Sequence, residues 1–231
     1  MIEFKGVSKQ FGRTTALDNI SISWGNGQII GLFGPNGAGK STSMKMMAGL
    51  SRPDKGEVLI DGQNPQHTKH KIAYLPEIDY LYSWMTIRQA AEFVKTFYGD
   101  WDINKYQGLL GFLRLEEDMK IGKISKGQRA KAKLLLTVSR RAPYLLMDEP
   151  LSGIDILTRE EIINTLVSDY REGEQTIIIS THEINEIEAL VDEVAFLSAG
   201  QIKLAGAAED LRAQQGKSLV ELMKELFRHE G

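Results

Sequence analysis

The strongest chemical signal in the sequence is the run Gly34-Pro35-Asn36-Gly37-Ala38-Gly39-Lys40-Ser41-Thr42. It fits the pattern G-x-x-x-x-G-K-[ST], in which glycines let the backbone approach phosphate closely and successive N–H groups ring the anion. A helix beginning near Lys40 turns its positive end on the same anion. The Lys40 ammonium is expected to reach the β- and γ-phosphates of a nucleotide, and the Ser41 hydroxyl to hold Mg²⁺. Asn36, Gly37, Ala38, Gly39 and Thr42 complete the expected phosphate-binding set. The Lys-Ser pair separates this loop from the glycine-rich turn of dinucleotide folds.

A second signal is Tyr144-Leu145-Leu146-Met147-Asp148-Glu149-Pro150, an apolar strand that ends in two carboxylates. Asp148, at the strand's carboxyl end, can reach Mg²⁺ through its water shell. Glu149 is placed to orient or deprotonate an attacking water. Taken alone, such a strand is usually one that meets solvent; a preceding phosphate loop reverses the reading. His182 follows another apolar run, Thr176 to Ser180. It is either a surface histidine or, at the carboxyl end of a strand in the same sheet, a group on the γ-phosphate side.

These residues need a frame that brings strand ends together. Short strands are expected at Ile2 to Phe4, Thr14 to Leu17 and Ile20 to Trp24, and a buried strand at Gln28 to Phe33. A helix follows from Lys40 to Ala48, and Val58-Leu59-Ile60 with Asp61-Gly62 suggests a hairpin. From about Asp79 to Arg141 the pattern turns helical, at Ile87 to Tyr98 and Lys126 to Arg140, with Gly108 to Arg114 a candidate third helix. Strands return at Tyr144 to Met147, Thr176 to Ser180 and Val194 to Leu197, with helices at Leu157 to Glu172 and Glu183 to Val191. Alternating strand and helix predict a mostly parallel sheet with helices on its faces. The middle block reads as a helical insertion. Ser218 to His229 reads as an amphipathic helix with Leu219, Leu222, Met223, Leu226 and Phe227 on one side, either closing on its own domain or meeting a partner.

Composition narrows the function classes. With 42% hydrophobic and 26% charged residues, the 231-residue chain reads as an ordinary soluble globular protein. A net charge of -3 supplies no global basic field for nucleic acid. Cysteine is absent, which excludes disulfides and thiolate metal sites. No apolar run approaches the roughly 20 residues that span a bilayer, and Met1-Ile2-Glu3-Phe4-Lys5 lacks a secretory profile. A membrane role therefore needs docking onto another chain.

Several ordered motifs together resemble the nucleotide-binding domain of ABC (ATP-binding cassette) transporters, over about residues 2 to 215. Gly34 to Thr42 resembles Walker A, and Tyr144 to Glu149 resembles Walker B with its catalytic glutamate. Ser152-Gly153-Ile154-Asp155 is similar to the D-loop, and His182 to the switch histidine at the γ-phosphate. Phe11, ahead of Gly12 and Ala16-Leu17, matches the aromatic that stacks on adenine; its other reading is a core phenylalanine. Ile124-Ser125-Lys126-Gly127-Gln128 resembles the signature L-S-G-G-Q. The resemblance gives Ser125, Gly127 and Gln128 the task of meeting ATP held by the opposite subunit.

Two departures stand out. Lys126 occupies a glycine position, where a positive φ would strain lysine; it either adds a cation near the trans phosphate or points to solvent. Glu77, in Ile72-Ala73-Tyr74-Leu75-Pro76-Glu77, stands where the family has a glutamine linking Mg²⁺ to the transporter interface. Carboxylate is a harder oxygen ligand, so the metal role is chemically sound. Tyr80, Leu81, Tyr82, Trp84 and Met85 form an apolar aromatic cluster, read as insertion core or as a groove for a membrane subunit's coupling helix.

The resemblance thus implies a P-loop NTPase (RecA-like) α/β fold over 1–215 with an antiparallel β subdomain and a helical insertion at about 79–141, while the amphipathic pattern adds a C-terminal helix within 216–231. It implies an ATPase at the cytoplasmic face of the membrane, closing around Mg-ATP as a homodimer or heterodimer to drive a permease subunit, with no nucleic-acid partner. The alternative is a non-transport ABC ATPase acting on ribosomes or DNA.

Overall fold

The computed structural model describes residues 1–152, 154–170 and 175–228, without the side chains of 168 and 169. A three-stranded antiparallel sheet is built from β1 (Ile2–Phe11), β2 (Thr14–Trp24) and β4 (Lys55–Ile60), in the order β2-β1-β4. A second sheet contains β3 (Ile29–Phe33), β5 (Ile72–Leu75), β6 (Tyr144–Asp148), β7 (Thr176–Thr181), β8 (Glu193–Ser198) and β9 (Gln201–Ala207). Its order is β5-β6-β7-β3-β8-β9, parallel except for the β8–β9 pair.

The near-continuous apolar runs of β3, β6 and β7 suit strands covered on both faces. Alternation divides each strand between two cores. Ile30, Leu32, Tyr144, Leu146 and Ile178 join Met44 and Met47 of α1 (Lys40–Met47) and the inner face of the antiparallel sheet. Phe33, Leu145, Met147, Ile177 and Ile179 face the opposite core. That core is shared with α2 (Ile87–Phe97), α3 (Ile103–Phe112), α4 (Lys126–Val138) and α5 (Ile156–Asp169).

Helix starts follow their caps. Thr86 with Gln89, and Ser125 with Gln128, form reciprocal capping boxes, while Asp102 and Asp155 cap α3 and α5. Asp102 explains one departure from the sequence reading. It accepts from the N–H groups of Asn104 and Lys105 at 3.0 and 3.1 Å, so the third helix of the middle block begins at Ile103 rather than Gly108.

Two other expectations change. The turn at Asp61-Gly62, φ 52° and 72°, closes only the single bridge Ile60–Gln63, because β4 pairs with β1 instead of forming a hairpin. The helix expected over Glu183 to Val191 is a 3₁₀ turn, Ile184–Glu186, followed by turns. Ile184, Ile187 and Val191 are buried at a helix-like spacing, but Arg159 holds Glu183 and Glu186, and Glu188 accepts from Leu219 N–H at 2.6 Å. Tertiary bonds override the periodicity. The hairpin β8–β9, turned by Ala199-Gly200 at φ 47° and 76°, and α6 (Ala208–Gln215) were not expected.

The C-terminal helix, α7 (Leu219–Phe227), closes on its own domain: Leu219 and Leu222 are buried, and the Phe227 ring lies 6.4 Å from that of Phe196. The expected end of α5 at 171–172, and His229, fall outside the described residues. No described helix is long and apolar enough to cross a membrane.

Candidate functional site

Strand order sets the carboxyl ends of β3, β6 and β7 side by side, at the edge where open α/β sheets bind ligands. The loop after β3 turns at Gly34, φ 157°, where an added Cβ would sit 2.1 Å from the Leu197 carbonyl oxygen. It enters α1 through Gly39, φ 108°, where a Cβ would sit 2.5 Å from the Ala16 carbonyl. Only glycine fits either position. The backbone N–H groups of Gly37, Gly39, Lys40 and Ser41 have no backbone acceptor among the described residues. That set of outward amides at a helix N-terminus, ending in an ammonium and a hydroxyl, fits a triphosphate.

Two linked chains of side chains lie beneath the loop. Ser41 Oγ donates to Asp148 Oδ1 at 3.0 Å, Ser180 Oγ donates to the same oxygen at 2.7 Å, and Tyr74 OH reaches Asp148 Oδ2 at 3.3 Å. Burial, then the neighbouring Asp148 charge, pushes the Tyr74 phenol well above its usual range, so it stays a donor. Lys40 Nζ donates to the carbonyls of Gly34 at 2.7 Å and Pro35 at 3.2 Å, and pairs with Glu149 Oε1 at 3.2 Å. The other Glu149 oxygen lies 2.9 Å from His182 Nδ1.

Glu149 adopts φ 48°, a left-handed conformation costing a non-glycine residue about 1–3 kcal/mol. Its N–H bonds both the carbonyl and the hydroxyl of Ser180, at 3.0 and 3.2 Å, and this pair of bonds holds the turn. The carboxylate is thereby turned away from Asp148 and towards Lys40 and His182. Ser41 and Asp148 offer hard oxygen ligands suited to Mg²⁺, which is commonly held by one or two carboxylates together with phosphate oxygens. No group of three or more His, Cys, Asp or Glu side chains that could hold a metal ion occurs among the described residues.

The remaining expected residues lie around this centre. Phe11 ends β1 as a residue 56% exposed, with Lys9 Nζ 5.4 Å from its ring centroid; it is not a core phenylalanine. Glu77 lines a cavity of about 420 Å³ with Lys126, Lys133 and Glu149. Ser125 and Gln128 are bound to each other at the tip of α4, at 2.9 and 3.1 Å. Gly127 lies against the D-loop, where a Cβ would meet Thr158 Oγ1 at 3.2 Å and Asp155 Oδ2 at 3.4 Å. Gly153 of that loop falls outside the described residues. Lys126 opens α4 as an exposed residue without positive φ, so the expected backbone conflict does not arise. Met85 is buried insertion core, whereas Tyr82 and Trp84 are exposed and stacked at 5.8 Å.

Sequence reasoning passed over Tyr74, Ser180, Lys133 and Arg159. Ser180 had a signal, a hydroxyl closing an apolar strand. Arg159 joins the D-loop to the segment after His182, donating to the Ile154 carbonyl at 2.6 Å and pairing with Glu183 and Glu186.

The family model for the ABC transporter matches residues 17–152. The chain is 28% identical over 217 residues to the ABC transporter ATP-binding protein YtrB of Bacillus subtilis, covering 93% of this chain and 74% of that protein. It is 32% identical over 218 residues to the sulfate/thiosulfate import ATP-binding protein CysA of Synechocystis, covering 91% of this chain and 61% of CysA. A solved ATP-binding subunit of an ABC transporter superposes with a TM-score of 0.86 at 28% identity, covering 98% of this chain and 99% of the other. Fold, phosphate loop and relatives agree: the chain belongs to the ABC transporter family, as an ATP-binding and ATP-hydrolysing subunit with the P-loop NTPase fold.

Proposed function

We propose that this chain is the peripheral motor of a transporter whose membrane-spanning permease is a separate chain, and that two cassettes close head to tail around Mg-ATP. The observation that supports this reading is the set Lys40–Glu149–His182 beside Ser41–Asp148–Ser180, groups suited to gripping phosphate, ligating a metal and accepting a proton. In this reading Phe11 stacks on adenine, the loop from Asn36 to Thr42 binds the phosphates, and Lys40 holds the β/γ end. Bound Mg²⁺, held by Ser41, Asp148 and Glu77, would neutralise phosphate charge. Glu149 orients the attacking water and takes its proton, while His182 fixes the Glu149 carboxylate and faces the γ-phosphate. Ser125, Gly127 and Gln128 of a second copy cover the nucleotide with a helix tip.

A groove of about 810 Å³ supports the permease reading. Its wall includes Ile78, Tyr80, Phe93 and Phe97, with Ile78 and Phe97 more than two-thirds exposed at 68% and 67%. Such an apolar aromatic surface suits a short helix from another protein. Its rim carries Lys45 and Lys69, so the expected visitor is apolar with an acidic residue. Residues 1–215 would form the ATPase domain, with 79–141 as the insertion bearing this groove. Docking there places the chain on the cytoplasmic face of the membrane.

The test is co-expression with candidate multi-span membrane proteins, followed by affinity purification and ATPase assay. Recovery of one membrane protein in stoichiometric amount, lost on Phe97→Glu, is the expected result. A chain that hydrolyses ATP but instead holds ribosomes or DNA would overturn the transport reading.

A further inference from the structure

The face of α4 that looks onto the loop after β5 carries Arg129 and Lys133, one helical turn apart. Lys133 Nζ donates to three consecutive carbonyls: Pro76 at 2.6 Å, Glu77 at 2.9 Å and Ile78 at 3.0 Å. These carbonyls lie beyond the end of β5 at Leu75 and well before α2, and no backbone amide among the described residues donates to them. All three donors of the ammonium are used, and the loop's backbone acceptors are satisfied from the helix. Arg129 adds a second tether, pairing with Asp79 and donating to the Ile121 carbonyl at 2.8 Å. Lys133 also lies 5.8 Å from the centroid of the Tyr80 ring.

A lysine is a costly choice here. Neighbours Ala132, Leu134, Leu135 and Leu136 are core residues, and burial pulls the Lys133 ammonium below its usual range, against the opposing fields of Asp79, Glu77 and Asp148. What the charge achieves is geometric. Glu77 is fixed at its backbone, beside the cavity that also holds Glu149, by the helix whose tip carries Ser125 and Gly127.

We propose that Lys133 is a positioning residue that makes the Pro76–Ile78 segment and the Ser125–Gly127 helix one moving body, so that Glu77 and the helix tip change place together. The proposal rests on the metal role given above to Glu77. Its mechanical half does not, and each half has its own readout.

The chain contains no cysteine, so spin labels can be placed at will. Ile78→Cys and Lys123→Cys put one label on the loop and one beside the helix tip, both at exposed positions. The full chain is expected to give a single narrow label separation that is the same with and without Mg-ATP. Lys133→Met, which keeps the stem and loses every donor, should broaden it and make it respond to Mg-ATP. In unlabelled protein Lys133→Met should raise the Mg²⁺ concentration for half-maximal hydrolysis about tenfold, the scale of lost outer-shell support for a metal ligand. Adding Lys133→Met to Glu77→Ala should raise it no further.

Lys133→Arg keeps the charge, but a planar fork cannot serve three convergent carbonyls, and it should give partial broadening. It decides the matter alone should Lys133→Met not fold. A separation that stays narrow in the foldable variants overturns the proposal. So does a Mg²⁺ effect that adds in full to that of Glu77→Ala. A narrow separation in the parent that broadens on substitution, with no Mg²⁺ effect in either variant, would instead remove the role of Glu77 and leave the tether.

Discussion

Lys40 and Glu149 form an ion pair 3.2 Å long whose side chains are 5% and 6% exposed, the most enclosed pairing of opposite charges in the site. The two residues are brought together from the ends of β3 and β6, and each has a second engagement: Lys40 with the carbonyls of Gly34 and Pro35, Glu149 with His182. In the proposed reading, the residue assigned to grip phosphate shares a charge balance with the residue assigned to activate water. Phosphate binding at Lys40 would then redistribute that balance, coupling grip to activation.

Lys40→Ala leaves the Glu149 carboxylate buried without its cation, and removing one partner of a buried pair costs about 3–5 kcal/mol. For a chain of this size the expected fall in melting temperature is roughly 6–20 °C. Thermal unfolding without nucleotide, alongside Glu149→Gln, checks it. The glutamine variant should fall less, because Lys40 keeps two carbonyl acceptors.

Phe11→Ala should leave melting unchanged, since the residue is 56% exposed. A base–aromatic stack contributes about 1–3 kcal/mol, so the Kd for ATP should rise about tenfold or more. Fluorescent-nucleotide titration measures it, and Phe11→Tyr should restore most of the affinity.

Ser180→Ala removes a donor to Asp148 Oδ1 and one of the two acceptors of the Glu149 N–H. The expected stability loss is about 1 kcal/mol. Turnover should fall well beyond that of a surface substitution, because Asp148 and the strained Glu149 turn both loosen. Steady-state kinetics should show the change mainly in kcat, with ATP affinity held by the intact phosphate loop.

Asp155 supplies the pH prediction. The backbone N–H of Thr158, bound at 3.0 Å, is the first cause holding its carboxyl below the usual range. A depressed folded pKa means stabilisation that is complete above the unfolded value and lost as pH falls through the folded one. The melting-temperature gap between the parent and Asp155→Ala should therefore be constant from neutral pH to about 5, and close below about 4.

The phosphate loop and the acidic strand end were legible because their patterns are local: Gly34 to Thr42 and Tyr144 to Glu149 are each a single short run. The parallel order of strands followed from alternation with helices. Ile184, Ile187 and Val191 misled, since three buried positions at helical spacing cannot distinguish a helix from turns pinned by Arg159 and Glu188. The helical spacing from Gly108 hides the true start of α3, which lies six residues earlier at the capping side chain of Asp102. Lys133 left no trace in sequence, because a lysine on a helix ordinarily faces water and only the fold reveals the carbonyls it meets. Ser180 and Tyr74 gain their meaning across strands, from β7 and β5 to the Asp148 that ends β6.

The central claim is that one copy grips the triphosphate and the helix tip of another covers it. Light scattering on the Glu149→Gln protein at micromolar concentration, with and without saturating Mg-ATP and with its permease where needed, tests this most directly. A shift from one cassette to two on adding Mg-ATP, abolished by Ser125→Arg, is the predicted result. A protein that binds Mg-ATP yet stays a single cassette under every one of these conditions would contradict the account.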